Sequence, residues 1–225
     1  ENEPYNYTLK CDTLNAISFG APQRRERFIM VGLKKDLNIE YTYPEATFTE
    51  GSYRTVRDAI SDIQDIEPGK EVTDSYFTLP PHPEAQGLEK ELRGRCLHNH
   101  ITTATRETAL SRFKALKAGE NFHDLSPELK TTYSNAERTQ NTIYMRLKYD
   151  EPSGTVVNVR KSMWIHPELD RAISIREAAR LQTFPDSFIF EGTKDSQYQQ
   201  VGNAVPPFLA KAVAESIISI LDQVQ

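Results

Sequence analysis

The sequence predicts an α/β chain with three unlike stretches: a buried strand near the N-terminus, a mostly irregular middle and regular helices near the C-terminus. Residues 27–33 form a nearly continuous apolar run, as in a strand that is buried on both faces. Residues 34–100 contain five prolines and few regular patterns. The last 55 residues contain two helical patterns, and the terminal one carries an apolar stripe that must pack against something.

Length and composition indicate a globular chain without a transmembrane segment. The 225 residues are 38% hydrophobic and 26% charged, and the longest apolar runs are far too short to span a bilayer. Residues 1–4 are acidic and polar, unlike a signal peptide, and the missing initiator methionine suggests a fragment or a processed chain. Two cysteines, Cys11 and Cys96, cannot form a disulfide framework or a four-cysteine zinc site. We therefore expect a cytoplasmic protein with no membrane partner.

The charges are segregated along the chain, although their sum of −5 argues against a nucleic-acid partner. Residues 21–35 contain five basic residues and one acidic residue, residues 36–92 contain 13 acidic and four basic residues, and residues 93–117 contain six basic residues and one acidic residue. Such runs can be solvated faces, and two basic stretches around an acidic one also fit a DNA-binding surface. We expect the acidic stretch to face away from any DNA.

Short elements are predicted between the first strand and the C-terminal helices from periodicity and from proline and glycine positions. They are a helix at 55–66, a linker at 79–83, helices at 105–118 and from 126, and strands at 142–147 and 154–159. Near the C-terminus, Ser174 and Glu177 form a capping-box pattern for a helix that stops before Pro185. The terminal helix begins at Pro206-Pro207.

A first motif, Gln23-Arg24-Arg25-Glu26-Arg27, carries two arginines two positions apart. On an extended backbone, Arg25 and Arg27 point to the same face, and paired guanidinium groups need an anionic or polar partner. A phosphate or a base edge would serve, and so would a surface ion-pair cluster with Glu26 and Glu177.

Two further motifs lie near the C-terminus. In residues 171–186, charged side chains share one helix face. We predict that they have a structural role and hold two parts of the chain together through charge-assisted hydrogen bonds. The residues predicted to have this structural role are Arg171, Arg176, Glu177 and Arg180. In residues 200–207, Gly202 permits close approach and Asn203 supplies a carboxamide, so a turn that faces a cofactor is predicted.

The order and spacing of these three motifs resemble the C-terminal part of the DNA (cytosine-5) methyltransferases. Residues 23–27 resemble motif VIII of that family, residues 171–186 resemble motif IX, and residues 200–207 resemble motif X. Residues 97–100, 146–147 and 152–156 resemble bacterial members within the variable region between motifs VIII and IX.

The resemblance implies three segments and a more specific fold class. Residues 1–38 would be the motif VIII strand region of the catalytic domain, residues 39–168 the target recognition domain, and residues 169–225 motifs IX and X with a helix that returns to the catalytic domain. The implied fold is an incomplete piece of a doubly wound (Rossmann-like) S-adenosylmethionine-dependent methyltransferase domain plus a small irregular α+β target recognition domain.

The implied function is methyl transfer from S-adenosylmethionine to carbon 5 of a cytosine that is flipped out of a specific DNA sequence, in a bacterial restriction-modification system. By the resemblance, Arg25 and Arg27 would bind the cytosine and its surroundings, with Arg27 hydrogen-bonded to the carbonyl oxygen of the base. Arg25 and Gln23 would position the site, and Gln23 would also contact the DNA base. The residues that the resemblance places at the cofactor are Gly202, Asn203 and Ala204.

Contacts with double-stranded DNA are predicted for several residues of the middle region. Two match a dipeptide of the recognition domain that would lie near the target base, namely Thr155 and Val156. Four others are predicted from their basic surroundings alone, namely His98, His100, Arg106 and Arg112. No further ligand at metal spacing accompanies the two histidines, so no metal site is predicted.

The sequence departs from the family at the nucleophile. The family uses a cysteine that follows proline, whereas Cys11 follows Lys10 and Cys96 follows Arg95. The Phe-x-Gly-x-Gly cofactor loop and the Glu-Asn-Val element are also absent from this sequence. We therefore expect the chain to act with an N-terminal catalytic half, in the same chain or as a separate subunit, and to be inactive alone. The alternatives are a stand-alone DNA-reading module and a non-catalytic subunit of a split methyltransferase.

Overall fold

The computed structural model describes residues 6–69, 77–78 and 87–222. Its strands and helices, in chain order, are β1 (Tyr7–Asn15), β2 (Glu26–Lys34), α1 (Val56–Ile60), β3 (Phe77–Thr78), α2 (Leu88–Leu92), β4 (Cys96–Leu97), α3 (Glu107–Ala115), α4 (Pro127–Lys130), α5 (Val159–Ser162), α6 (Ile175–Leu181), α7 (Lys194–Asn203) and α8 (Pro207–Leu221). The linker predicted at 79–83 lies outside the described residues. In the described part of the chain, no single helix could cross a membrane, and only the bent pair of α7 and α8 reaches the required length and composition.

The N-terminal strands β1 and β2 form an antiparallel two-stranded ribbon, with Tyr7 opposite Lys34 and Asn15 opposite Glu26. The strand predicted at 27–33 is therefore confirmed, whereas β1 was not predicted. The prediction that this strand is buried on both faces was wrong. One face of β2 packs on α8 and on a following segment that contains Tyr41, and the other face of β2 is exposed.

The main hydrophobic core joins the middle of the chain to the C-terminal helices α6 and α7. Trp164 lies in this core, and α1 contacts both α2 and α6. Helix α8 instead packs on the ribbon, where Leu209 is its buried residue. The C-terminal segment thus contributes to two cores, one on each side of the turn between α7 and α8.

A smaller core lies beside α3, which is the helix predicted at 105–118. This helix starts at Glu107 and ends at Ala115, and its Phe113 packs with Phe122 and Tyr144. The predicted N-terminal proline of α4 and the capping box of α6 are both observed. The helix predicted at 55–66 is shorter, because a 3-10 turn at Ser61–Ile63 follows α1.

The two strands predicted at 142–147 and 154–159 were wrong. Residues 141–144 form a turn in which Tyr144 has a φ of 53°, a left-handed conformation that ends an extended run. Residues 154–158 are irregular, because side chains of the first motif, rather than a neighbouring strand, bind the backbone of Val156. The turn predicted at 200–207 begins later than expected, since residues up to Asn203 belong to α7.

Candidate functional site

The first motif and the middle region meet along a short stretch of backbone. The amide of Arg24 donates to the carbonyl oxygen of Ser153 at 2.9 Å, and the amide of Ser153 donates to that of Pro22 at 2.9 Å. The Thr155 hydroxyl donates to the carbonyl oxygen of Arg24 at 2.7 Å. The segment that carries Thr155 is therefore fixed directly against the end of the motif that precedes β2.

Gln23 is fully buried and connects three segments with its side-chain carboxamide. Its Nε2 atom donates to the carbonyl oxygen of Leu181 at the end of α6, 2.9 Å away. Its Oε1 atom accepts from the amide of Val156 at 3.1 Å. Because both groups are satisfied internally, the structure does not present Gln23 or the buried Val156 side chain to DNA, and the predicted base contacts of these two residues were wrong.

Arg25 is the centre of the site. Its side chain is 1% exposed, and its guanidinium donates to the carbonyl oxygens of Val156 at 2.6 Å, Gly202 at 2.7 Å and Ala204 at 2.8 Å. Three carbonyl dipoles replace the water that the cation loses on burial, in a fan that the planar guanidinium fits. Arg25 therefore joins the first motif, the middle region and the turn between α7 and α8.

Arg27 follows on β2 and is more accessible than Arg25. Its guanidinium donates to the carbonyl oxygens of Glu26 at 2.8 Å and Ala204 at 3.4 Å. Partial burial lowers the pKa of Arg27. The two arginines thus share Ala204 as an acceptor, and of the two only Arg27 stays partly exposed.

Asn203 is the last residue of α7 and is exposed. Its Oδ1 atom accepts from Gln199 at 2.7 Å, and Gln199 accepts in turn from Asn158 at 3.0 Å. Because Oδ1 of Asn203 is already bound, the amide nitrogen of the same side chain is the group that remains to donate to a ligand. Gly202 has a different constraint, because a Cβ atom there would lie 2.8 Å from the backbone carbon of Val157.

The second motif forms a buried polar seam between α6 and the middle region. Arg180 donates to both carboxylate oxygens of Asp186, at 2.8 and 2.6 Å, and also contacts Asp62. The neighbouring Arg176 donates to the carbonyl oxygens of His98 at 2.8 Å and Pro185 at 2.9 Å. Burial lowers the pKa of Arg176 to about 10, whereas the carboxylates outweigh burial at Arg180 and raise its pKa.

Asp62 shows that the acidic stretch is not only a solvated face. Its side chain is buried and pairs with Arg93 at 2.9 Å as well as with Arg180. No local pattern indicates this role, because Asp62 is one of 13 acidic residues between positions 36 and 92.

Glu177 is the carboxylate at the other end of the seam. Burial opposes its ionisation, but the two hydrogen bonds from Arg171, at 2.8 and 2.6 Å, hold its pKa at about 2. Two buried histidines lie near it, and burial lowers the pKa of His100 and lowers that of His166 to about 4. The partner of Glu177 is therefore Arg171, so the surface cluster considered for Glu177 and the first motif does not form.

The predicted phosphate contacts of the middle region separate into buried and accessible residues. His100 is fully buried between the Ile66 carbonyl oxygen and the Ser174 hydroxyl, at 2.9 and 3.0 Å. Arg112 is 4% exposed and donates to the carbonyl oxygen of Leu129 at 2.8 Å. Both predictions were therefore wrong, since a folded core encloses these side chains. The remaining candidates keep some exposure, namely His98, Arg106 and Thr155.

Neither cysteine lies in this site. Cys11 is exposed on β1, and Cys96 is half-buried in β4. Among the described residues, no group of three or more histidine, cysteine, aspartate or glutamate side chains could hold a metal ion.

Comparisons with known proteins agree on one family. The sequence profile of the C-5 cytosine-specific DNA methylases matches residues 2–219. The Type II methyltransferase M.DdeI of Desulfomicrobium norvegicum is 36% identical over 223 residues, which cover 91% of this chain and 52% of that protein. The Type II methyltransferase M1.HphI of Haemophilus parahaemolyticus is 35% identical over 218 residues, which cover 97% of this chain and 50% of that protein.

A solved structure supports the fold. A protein described as a DNA modification methyltransferase encoded within an Escherichia coli prophage superposes with a TM-score of 0.77 over 96% of this chain and 62% of its own, at 23% identity. The fold is therefore of the α/β methyltransferase class. By the extent of the profile match, the chain belongs to the C-5 cytosine-specific DNA methylase family. It spans about half the length of the curated relatives that it matches.

Proposed function

We propose that this chain is the C-terminal segment of a DNA (cytosine-5) methyltransferase, which transfers a methyl group from S-adenosylmethionine to carbon 5 of a flipped cytosine in a specific DNA sequence. Its setting would be a bacterial restriction-modification system, as the names of its Type II relatives suggest. The observation that carries the proposal is the Arg25 junction. One buried guanidinium ties the first motif to the recognition segment at Val156 and to the turn at Gly202.

The roles of the residues follow from their accessibility. Arg27 would contact the cytosine, because part of its guanidinium stays free, while Arg25 and Gln23 would hold the surrounding backbone. Asn203 fits one edge of a site for S-adenosylmethionine, since its amide nitrogen is an exposed donor. That cofactor would supply the methyl group. The carbonyl oxygens of Gly202 and Ala204 are taken by Arg25, so the role proposed for these two residues is to shape the turn.

The three proposed segments are a strand region at 1–38, a recognition domain at 39–168 and a returning segment at 169–225. The packing supports the return of α8 to the strand region, because α8 covers the inner face of the ribbon. Helices α6 and α7 instead share a core with the recognition domain. The DNA contacts proposed for the recognition domain are those of its accessible residues, above all Thr155.

The outer face of the ribbon would dock an N-terminal catalytic half. Leu9 is 59% exposed, Phe28 63% and Met30 56%, and the strand register places all three on one face. Single exposed apolar residues are ordinary, whereas a contiguous apolar face marks an interaction surface. The curated relatives are about twice as long as this chain, which supports a further protein segment of that family as the surface that would cover this face.

Mixing the two halves tests the proposed function. The chain is combined with an N-terminal half that carries the Pro-Cys element, and transfer of labelled methyl from S-adenosylmethionine to DNA is measured. We expect transfer only in the mixture, and its loss in Arg27→Ala. Lys211→Ala serves as the control, because Lys211 is an exposed residue of α8 that pairs with Glu215 and lies outside the proposed recognition domain. Transfer by the chain alone would contradict the proposal. DNA binding without transfer in the mixture would favour a stand-alone DNA-reading module.

A further inference from the structure

The end of α6 contacts both sides of the turn between α7 and α8. Gln182 donates through Nε2 to the carbonyl oxygen of Val201, just before the turn. The next residue, Thr183, accepts through Oγ1 from the amide of Phe208 at 3.2 Å, just after it. Gln182 and Thr183 are both fully buried. Two consecutive side chains therefore bracket the turn of residues 202–207.

The hydrogen bond from the Phe208 amide satisfies a donor at the N-terminus of α8 that has no acceptor within the helix. Pro206 and Pro207 have no backbone N–H, so Phe208 supplies the first amide of the helix, and the N-cap residue Pro206 makes no side-chain cap. The hydroxyl of Thr183, which follows the C-cap residue of α6, takes the place of that cap. The direction in which α8 leaves the turn thus depends on a side chain outside α8.

The backbone at Thr183 is in an unfavourable conformation. Its φ is 65°, in the left-handed region that glycine or asparagine adopts at the end of many helices. A β-branched residue is rarely found there, and such local strain persists where surrounding contacts over-determine it. The hydroxyl that binds Phe208 gives a reason for threonine at this position. Beside it, the Oε1 atom of Gln182 is buried and has no hydrogen-bond partner among the described residues.

We infer that Gln182 and Thr183 are positioning residues that fix the turn of residues 202–207 and so set the direction in which Asn203 faces the cofactor. The inference rests on the proposed function for its cofactor but not for the turn itself. Arg25 holds the carbonyl oxygens of this turn from the opposite side. The side chains that the turn leaves exposed are those of Asn203 and Val205, so any change in the anchors would redirect them.

The first experiment uses the chain alone and needs no cofactor. Hydrogen exchange is measured over residues 202–210 in Thr183→Val, which keeps the shape of the side chain and loses the acceptor, and in Thr183→Ser, which keeps the acceptor. We expect exchange at the Phe208 amide to be at least about tenfold faster in the valine variant, as loss of a cap implies, and close to wild type in the serine variant. Unchanged exchange in the valine variant would overturn the inference.

The second experiment uses the active mixture of the two halves. Thr183→Val and Gln182→Leu should each raise the KM for S-adenosylmethionine about fivefold to tenfold, with a much smaller change in kcat and in the KM for DNA. Thr193→Val is the matched control, because Thr193 caps the far end of α7 through the same kind of bond, at 3.3 Å from Ser196. A fall in melting temperature with an unchanged KM would mean a structural role only and would overturn the inference. An inactive wild-type mixture would refute the proposed function instead, and the exchange experiment would then decide about the anchors.

Discussion

The polar seam around α6 and the β1–β2 ribbon differ in the environment of their side chains. In the seam, buried charges are matched within the chain: Arg180 faces two carboxylates, and Glu177 faces Arg171. In the ribbon, apolar side chains such as Phe28 stay in contact with solvent. A buried charge without a partner is far more costly than an exposed apolar side chain, so the two regions differ in what they require from the rest of the protein.

This difference indicates which part of the chain is self-sufficient. The middle region folds onto α6 and α7 with its ionic partners already in place. The ribbon has one covered face and needs a second surface to bury the other one. We therefore expect substitutions in the seam to change the stability of the isolated chain, and substitutions on the outer ribbon face to change its association.

The largest effect is expected for Arg180→Ala. The substitution removes the guanidinium that binds both oxygens of the buried Asp186 carboxylate, and it leaves Asp62 with Arg93 as its remaining partner. Loss of one partner of a buried pair costs about 3–5 kcal/mol. The free energy of unfolding of the chain in urea measures the loss. Lys211→Ala is the control, since Lys211 pairs with Glu215 at 3.7 Å on the surface, where a pair contributes under about 1 kcal/mol. Equal effects of the two variants would contradict the distinction between the regions.

A second, smaller effect concerns the stability of the chain at low pH. The pKa of His166 falls from its ordinary 6.5 to about 4 on burial, so between these values the unfolded chain binds a proton that the folded chain does not. Stability is therefore complete above pH 6.5 and decreases as the pH falls towards 4, by on the order of 2–3 kcal/mol. Denaturation curves at pH 7 and pH 4.5 should show this loss.

The same curves with His166→Gln identify the group responsible. This variant should lose less stability between pH 7 and pH 4.5 than wild type, and the remainder would include the buried His100, whose pKa is also lowered. His123→Gln, at an exposed histidine, should retain the full loss. An undiminished loss in His166→Gln would assign the acid sensitivity to other groups.

Sequence patterns predicted the parts of the fold that depend on local physics. The strand at 27–33, the capping box at Ser174 and the start of α8 at Pro207 follow from apolar runs and capping chemistry. The false strands at 142–147 and 154–159 have apolar runs of the same kind, but their backbone partners are distant in sequence. Val156 binds side chains of Arg25 and Gln23, and residues 144–147 bind the backbone of separate segments. No local pattern contains that information.

The site was predicted in the same uneven way. The motifs marked the segments that meet at the Arg25 junction, but periodicity could not show which arginine is buried and which is accessible. The anchors Gln182 and Thr183 were missed, because a polar residue at the end of a helix is ordinary until its φ and its distant partner are known. His100 and Arg112 were misassigned, since a basic stretch does not reveal which of its members are enclosed.

An intermediate effect is expected where the middle region touches α7 at Gly202. A methyl group in Gly202→Ala would lie 2.8 Å from the Val157 backbone, which cannot move independently because Arg25 holds Val156. We expect a loss of about 1–2 kcal/mol in the free energy of unfolding, as for other overpacked sites. Gly154→Ala is the matched control, because nothing lies within 4 Å of a Cβ atom there. An unchanged stability of Gly202→Ala would show that the segment yields and that the junction is less constrained than its contacts imply.

The smallest effect on the isolated chain is expected on the outer ribbon face. Phe28→Thr should change the free energy of unfolding by less than about 0.5 kcal/mol, because the side chain is mostly exposed and threonine suits a strand. The same variant should weaken complementation by the N-terminal half at least about tenfold in the concentration required, since an apolar anchor in an interface contributes 1 kcal/mol or more. Thr13→Val, directly opposite Phe28 in the register, should leave or improve both measurements. A variant of Phe28 that destabilised the free chain but complemented normally would place this face inside the fold of the chain itself, and the contrast between the ribbon and the seam would fail.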